Sequence, residues 1–95
     1  MRRMKVRIRF RGPLASQMSI DRVELEAPEA STLQQALDLA LNTIPPMKEV
    51  WDDSNQIDRE ALLLKNEVDV GLLDGLSTIL EAGDEIVILP LVHGG

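Results

Sequence analysis

The sequence predicts an α+β domain in which one mixed sheet packs on one main helix. Three observations carry this. Residues 4–11 alternate apolar and basic side chains without a break, residues 33–44 repeat apolar side chains at helical spacing, and residues 86–89 are apolar at every position. A period of two marks a strand with one buried face and one wet face, and a period near 3.6 marks an amphipathic helix. A strand without alternation is buried on both faces, as a central strand is.

Taken in order, Met4, Val6, Ile8 and Phe10 point one way from the first strand, and Lys5, Arg7, Arg9 and Arg11 the other. Gly12-Pro13 punctuates it. A second alternating stretch puts Val23 and Leu25 inward and Arg22, Glu24 and Glu26 outward. Joined by a short loop, the two suggest an antiparallel hairpin. The basic stripe would then lie beside Glu24 and Glu26 as cross-strand charge pairs, a reading preferred here to nucleic-acid binding. Ser31 and Thr32 are both N-cap candidates, each with Gln three residues on. Leu33, Ala36, Leu37, Ala40, Leu41 and Ile44 then form one apolar helix face. Pro45-Pro46 ends that helix, because proline lacks the donor and disfavours helical angles before it. Residues 46–51 are open to another helical turn. Asp52-Asp53-Ser54-Asn55 reads as an exposed loop, its acids solvated rather than gathered for a cation.

Residues 62–65 form a short strand, Asn66-Glu67 a turn, and Asp74-Gly75-Leu76 another turn with room for a single helical turn beyond. Ala82-Gly83-Asp84 turns the chain into the last strand, about residues 85–91. Either Ile86 and Ile88 or Val87, Leu89 and Leu91 face away from the helix. That outward set is covered by other elements or forms an apolar patch for a partner. The order is hairpin, long helix, short strand, turn-rich segment, final central strand. With the first and last strands adjacent and parallel, this is the layout of a β-grasp domain.

Composition bounds the function. Ninety-five residues, 44% hydrophobic and 27% charged, make one domain too small to enclose a sizeable catalytic cavity. With no cysteine, thiolate zinc sites, iron–sulfur clusters and disulfides are impossible; with one histidine, a conventional transition-metal site is not expected. No metal ligands are therefore assigned. No apolar run approaches membrane-spanning length and no signal peptide is apparent, so a cytoplasmic protein without membrane contact is expected. The net charge of −6 hides a polarity: residues 1–11 hold six of the ten basic groups and none of the sixteen acidic ones. The acidic remainder argues against direct nucleic-acid binding and suits a partner enzyme with a basic docking face. No Ser/His/Asp set or carboxylate pair at telling spacing suggests an enzyme.

The chain closes on Leu91-Val92-His93-Gly94-Gly95. Glycine has no Cβ, so a Gly-Gly tail is thin and adopts almost any backbone angle. It can thread a channel too narrow for other residue pairs and present its carboxylate to an enzyme-bound nucleotide. Leu89 to Gly95 spans six steps, about 20 Å when extended.

Three stretches carry a family resemblance: Leu62-Leu63-Leu64-Lys65-Asn66-Glu67; Leu72-Leu73-Asp74-Gly75-Leu76 with Leu80-Glu81-Ala82-Gly83-Asp84-Glu85-Ile86-Val87; and the Leu91-Val92-His93-Gly94-Gly95 tail. On these the chain resembles the ubiquitin-like sulfur carriers and modifiers. That family includes the small subunit of molybdopterin synthase, the thiamine sulfur carrier, the ubiquitin-related modifier and the small archaeal modifier proteins. The likeness is close over the last third of the chain and elsewhere rests on element order. His93 before the glycines and the Leu-Leu-Asp-Gly segment look most like the ubiquitin-related and archaeal modifiers. The stretch at 45–56 departs from the pattern, being longer than the shortest carriers need.

The resemblance implies a protein that is a substrate and not a catalyst, with no cofactor bound to it. An E1-like adenylating enzyme would use ATP to activate the Gly95 carboxylate, with Gly94 supplying access. A sulfur donor would then make a thiocarboxylate for tRNA thiolation, or the acyl group would pass to lysines of target proteins as isopeptide bonds. One alternative is the small-subunit sulfur carrier of molybdopterin synthase; another is a non-reactive β-grasp interaction module. Leu91, Val92 and His93 are expected to touch the partner, with Leu91 and Val92 seating the base of the tail. A general acid or base needs fixed geometry, so His93 is read as a docking contact or an exposed side chain. Residues 1–91 are expected to form the β-grasp domain and residues 92–95 a flexible tail.

Overall fold

The computed structural model describes residues 2–91. Five strands form one sheet: β1 (Arg3–Phe10), β2 (Arg22–Pro28), β3 (Ala61–Lys65), β4 (Val68–Asp69) and β5 (Glu85–Pro90), in the order β2-β1-β5-β3-β4. β1 and β5 run parallel, and the other neighbouring pairs are antiparallel. The fold is the expected β-grasp.

Alternation in β1 sets its faces. Met4, Val6, Ile8 and Phe10 are buried, and Arg3, Lys5 and Arg7 are exposed. The inner face packs on α2 (Leu33–Thr43), whose Leu33, Ala36, Leu37, Ala40 and Leu41 are buried. Of the two candidate caps Thr32 is the one used. Its Oγ1 accepts from the Gln35 amide (3.2 Å) while its own amide donates to Gln35 Oε1 (2.9 Å), the reciprocal pair of a capping box. The Ser31 hydroxyl instead donates to the Pro28 carbonyl at 2.6 Å. Pro45 and Pro46 close α2 and open α3 (Pro45–Val50), occupying first-turn positions where the missing amide costs nothing.

Three expectations are corrected. The β1–β2 connection is not a bare loop: it holds α1 (Pro13–Met18), which buries Leu14 and Met18 one turn apart against the core. Nor is the 52–55 stretch an exposed loop. The Asp53 carboxylate accepts from the Gln56 amide (2.8 Å) and so caps α4 (Ser54–Glu60), whose Ser54 is buried and bonded through its amide to Asp38 (3.2 Å). The expected charge partners are also different. Lys5 and Arg7 do lie opposite Glu26 and Glu24 in register, yet Arg7 and Arg9 form ion pairs with Glu85 of β5. Glu85 sits on the same face and carries both contacts from one side chain.

Candidate functional site: the root of the tail and the outer sheet face

β5 is the strand that delivers the C-terminus, and it is held from both sides. β1 pairs with it from Arg7↔Glu85 to Phe10↔Ile88, and β3 from Lys65↔Ile86 to Ala61↔Pro90. Beyond β5 the Leu91 amide donates to the Glu60 carbonyl (3.1 Å), carrying the ladder one residue further. On the other flank the Arg11 amide donates to the Ile88 carbonyl (3.1 Å). Gly12 then turns away at φ +64°, where a Cβ would meet the Leu89 and Pro90 side chains at ordinary van der Waals distances of 3.9–4.0 Å. Leu91, 44% exposed, thus leaves the sheet at a fixed point with its side chain presented to solvent. Of the residues expected to touch a partner or carry chemistry, Leu91 alone is described; Val92, His93, Gly94 and Gly95 lie outside the described residues.

The start of β5 is fixed by a polar cluster that sequence reasoning treated only as two turns. Asn66 and Glu67 both have positive φ (49° and 70°), the backbone of a tight hairpin turn between β3 and β4. This aims the Asn66 side chain at the next turn. Its Nδ2 donates to Asp84 Oδ1 (2.9 Å), and its Oδ1 accepts from the Glu85 amide (2.9 Å). The other Asp84 oxygen accepts from the Glu81 amide (2.7 Å) and lies 3.5 Å from Lys65 Nζ, which also donates to the Ile79 carbonyl (3.2 Å). Buried Asp84 is therefore satisfied on both oxygens, as a buried carboxylate must be. The signal was present in the sequence as Asn at a turn with Gly83-Asp84 before the strand, but the pairing needed the fold.

The parity left open for β5 is settled by register. Ile86 and Ile88 face α2, and Val87 and Leu89 lie on the outer face beside Leu64 and Leu62 of β3. Arg7 and Arg9 border that apolar strip on the β1 side, paired with Glu85 at 3.6 and 3.7 Å. This face is thus an apolar strip with a charged border. A shallow groove between Arg3, Met4, Glu29, Ala30, Ile79 and Leu80 lies at the opposite end of the sheet and gathers no nucleophile–base set. Among the described residues no group of three or more His, Cys, Asp or Glu is placed to hold a metal, and no helix is long and apolar enough to cross a membrane.

Known proteins share this architecture. The small archaeal modifier protein 1 from Methanosarcina acetivorans is 22% identical with a TM-score of 0.76, covering all of both chains, which shows a common fold. The complex of subunits 1 and 2 of the molybdopterin-converting factor from Helicobacter pylori contains a chain 27% identical, with a TM-score of 0.61 over 97% of this chain and all of that one. A ubiquitin-related modifier 1 homolog from Caenorhabditis elegans is 39% identical over 44 residues, 46% of this chain and 44% of the relative. That match spans less than half the relative's length. The ThiS family model, by contrast, matches residues 8–95. It runs from the middle of β1 through the central strand to the final glycine, and the chain belongs to the ThiS family, among the ubiquitin-like sulfur carriers and modifiers.

Proposed function

We propose that this protein is a carrier and modifier activated at the Gly95 carboxylate, and that it is a substrate rather than a catalyst. A carboxylate is a poor electrophile. In the active site of an E1-like enzyme it attacks the α-phosphate of ATP, releasing pyrophosphate and leaving a mixed anhydride with AMP. A sulfur donor then displaces AMP to give a thiocarboxylate, or an enzyme thiol takes the acyl group and passes it to a lysine amine. The observation that supports this reading most is the root geometry: the central strand, bonded on both flanks, ends at Leu91 with the Leu91 amide still tied to Glu60. The four backbone steps from Leu91 to Gly95 span at most about 14 Å beyond the sheet when extended, enough to enter a neighbouring active site. The Helicobacter pylori match favours a second reading, a subunit of a two-subunit molybdopterin-converting factor, which shares the thiocarboxylate but not the isopeptide bond.

Intact-protein mass spectrometry on material from its own cells, beside a variant lacking Gly94 and Gly95, tests both. A mass gain matching replacement of one oxygen by sulfur, absent from the variant, is the result expected of a carrier; tail-dependent higher-mass species are expected of a modifier. An unchanged carboxylate with ATP and sulfur in supply would overturn the proposal. No Lys or Arg follows Lys65, so trypsin leaves a 30-residue branch, Asn66 to Gly95, on any modified lysine. Cleavage after Glu85, the last acidic residue, leaves Ile86 to Gly95 and is the better digest.

A further inference from the structure

Val87 is 0% exposed although it points away from α2 and is not part of the core cluster. Among the described residues the buried apolar side chains of the helices belong to the inner core cluster, and the neighbours of Val87 on the outer face are side chains of the sheet itself. Arg9 and Leu64 flank it in register, and Leu62 and Leu89 form the next row. Arg11 continues the outward set of β1, since its amide extends the ladder to Ile88. Its Nη2 lies 2.9 Å from Oε1 of Glu67, in the turn after β3. In a sheet ordered β1-β5-β3, a side chain from the end of β1 that reaches the β3–β4 turn must cross β5, and the inner face is filled by the core. The contact therefore runs diagonally over the outer face. Glu85, held by Arg7 and Arg9, closes the near end of the same strip.

We propose that the Arg11–Glu67 pair is a strap that roofs Val87, at the centre of the partly exposed apolar strip of Leu64, Leu62 and Leu89, so that Val87 is covered in the free protein and becomes accessible only when this pair parts. The alkyl stem of Arg11 supplies the cover and the ion pair holds it in place. Arg11 and Glu67 are 38% and 59% exposed as side chains, so the pair is weak, screened by salt and readily exchanged for other charges. On opening, Arg7, Arg9 and Arg11 stand in a row at two-residue spacing beside an apolar strip, a surface whose complement is apolar at its centre and acidic along one rim. This strap is independent of the chemistry proposed for Gly95.

The full chain, carrying methyl labels, is to be followed by NMR with a neutral paramagnetic cosolute. The readout is solvent relaxation enhancement at the Val87 methyls, with the Ile88 methyls, one residue on and facing the core, as the internal control. Arg11→Gln and Glu67→Gln are each expected to raise the Val87 enhancement about two- to fivefold, the range an exposed ion pair can impose on an opening equilibrium. Raising salt from about 0.1 M to about 1 M should do the same in the unaltered chain. Ile88 should stay unchanged throughout. The charge-swapped double variant Arg11→Glu with Glu67→Arg should restore the low value. A Val87 enhancement that ignores both single substitutions and salt overturns the strap, and so does a rise that the swap fails to reverse. If one variant perturbs the fold, Ile88 will respond as well, and the decision rests on the other variant and the salt series.

Discussion

The two faces of the sheet are built from the same strands and held by different physics. Leu63 and Leu64 are adjacent on β3; Leu63 points at α2 and is 2% exposed, and Leu64 points outward and is only partly buried. The inner residue belongs to the core cluster that α2, β1 and β5 also fill, elements that cannot withdraw without unfolding. The outer one is covered by neighbouring side chains that can turn away. One face is therefore a core, and the other is a surface kept partly closed by charge and by the stems of long side chains.

Substitutions across β3 and β5 should widen this contrast. Leu63→Ala removes buried methyl groups from a site that can collapse only in part, and about 2–5 kcal/mol of stability should be lost. Urea unfolding followed through Trp51, the single tryptophan and itself buried, measures it directly. Leu64→Ala, one position along, should cost about 1 kcal/mol. Equal losses at the two positions would mean that the outer face is as rigidly packed as the core.

Between these two in size stands the pin that keeps the faces apart. Slipping β5 by one residue against its neighbours would exchange Ile86 and Ile88 for Val87 and Leu89. The Asp84 carboxylate opposes such a slip, because it holds the Asn66 side chain and the Glu81 amide while Asn66 holds the Glu85 amide. Asp84→Ala takes the acceptor from these part-buried donors and should cost about 1–3 kcal/mol in the same urea assay. A loss near zero would show that strand pairing alone sets the register.

How much of this was legible in the sequence follows the same division. The inner face was readable because burial imposes periodicity: β1 alternates, α2 repeats at i, i+3, i+4, and both positions were found. α1 was missed because six residues with only Leu14 and Met18 buried show no repeat, and Gly12-Pro13 reads equally well as a turn. α4 was missed because a capping aspartate and a solvated loop aspartate are the same residue until the amide it accepts from is known; Asp53 is the former. The outward set of β5 needed cross-strand register, and the Glu85 ion pairs needed a strand about 75 residues from the arginines in sequence to lie beside β1. Within the site, the two glycines were plain in the sequence. The Glu60 carbonyl that ties Leu91 was invisible, since it depends on where α4 hands over to β3.

The smallest expected effect separates the two faces most cleanly, because it differs in kind. Glu85 lies between Arg7 and Arg9 with its side chain 21% exposed, and the arginines are 49% and 41% exposed. Water screens both contacts, at 3.6 and 3.7 Å they are longer than good hydrogen bonds, and one carboxylate serves two cations. Glu85→Gln should therefore cost under about 1 kcal/mol at about 0.1 M salt, part of it the unrelieved repulsion between the two guanidinium groups. Near 1 M salt, where the Debye length falls to about 3 Å, that cost should all but vanish. The Leu63→Ala loss has no charge to screen and should persist there. Urea is uncharged, so both variants can be unfolded at each salt level and the differences compared directly. A Glu85→Gln loss that survives high salt would place this carboxylate with the packed face, and the near end of the outer strip would then be held by packing rather than by charge.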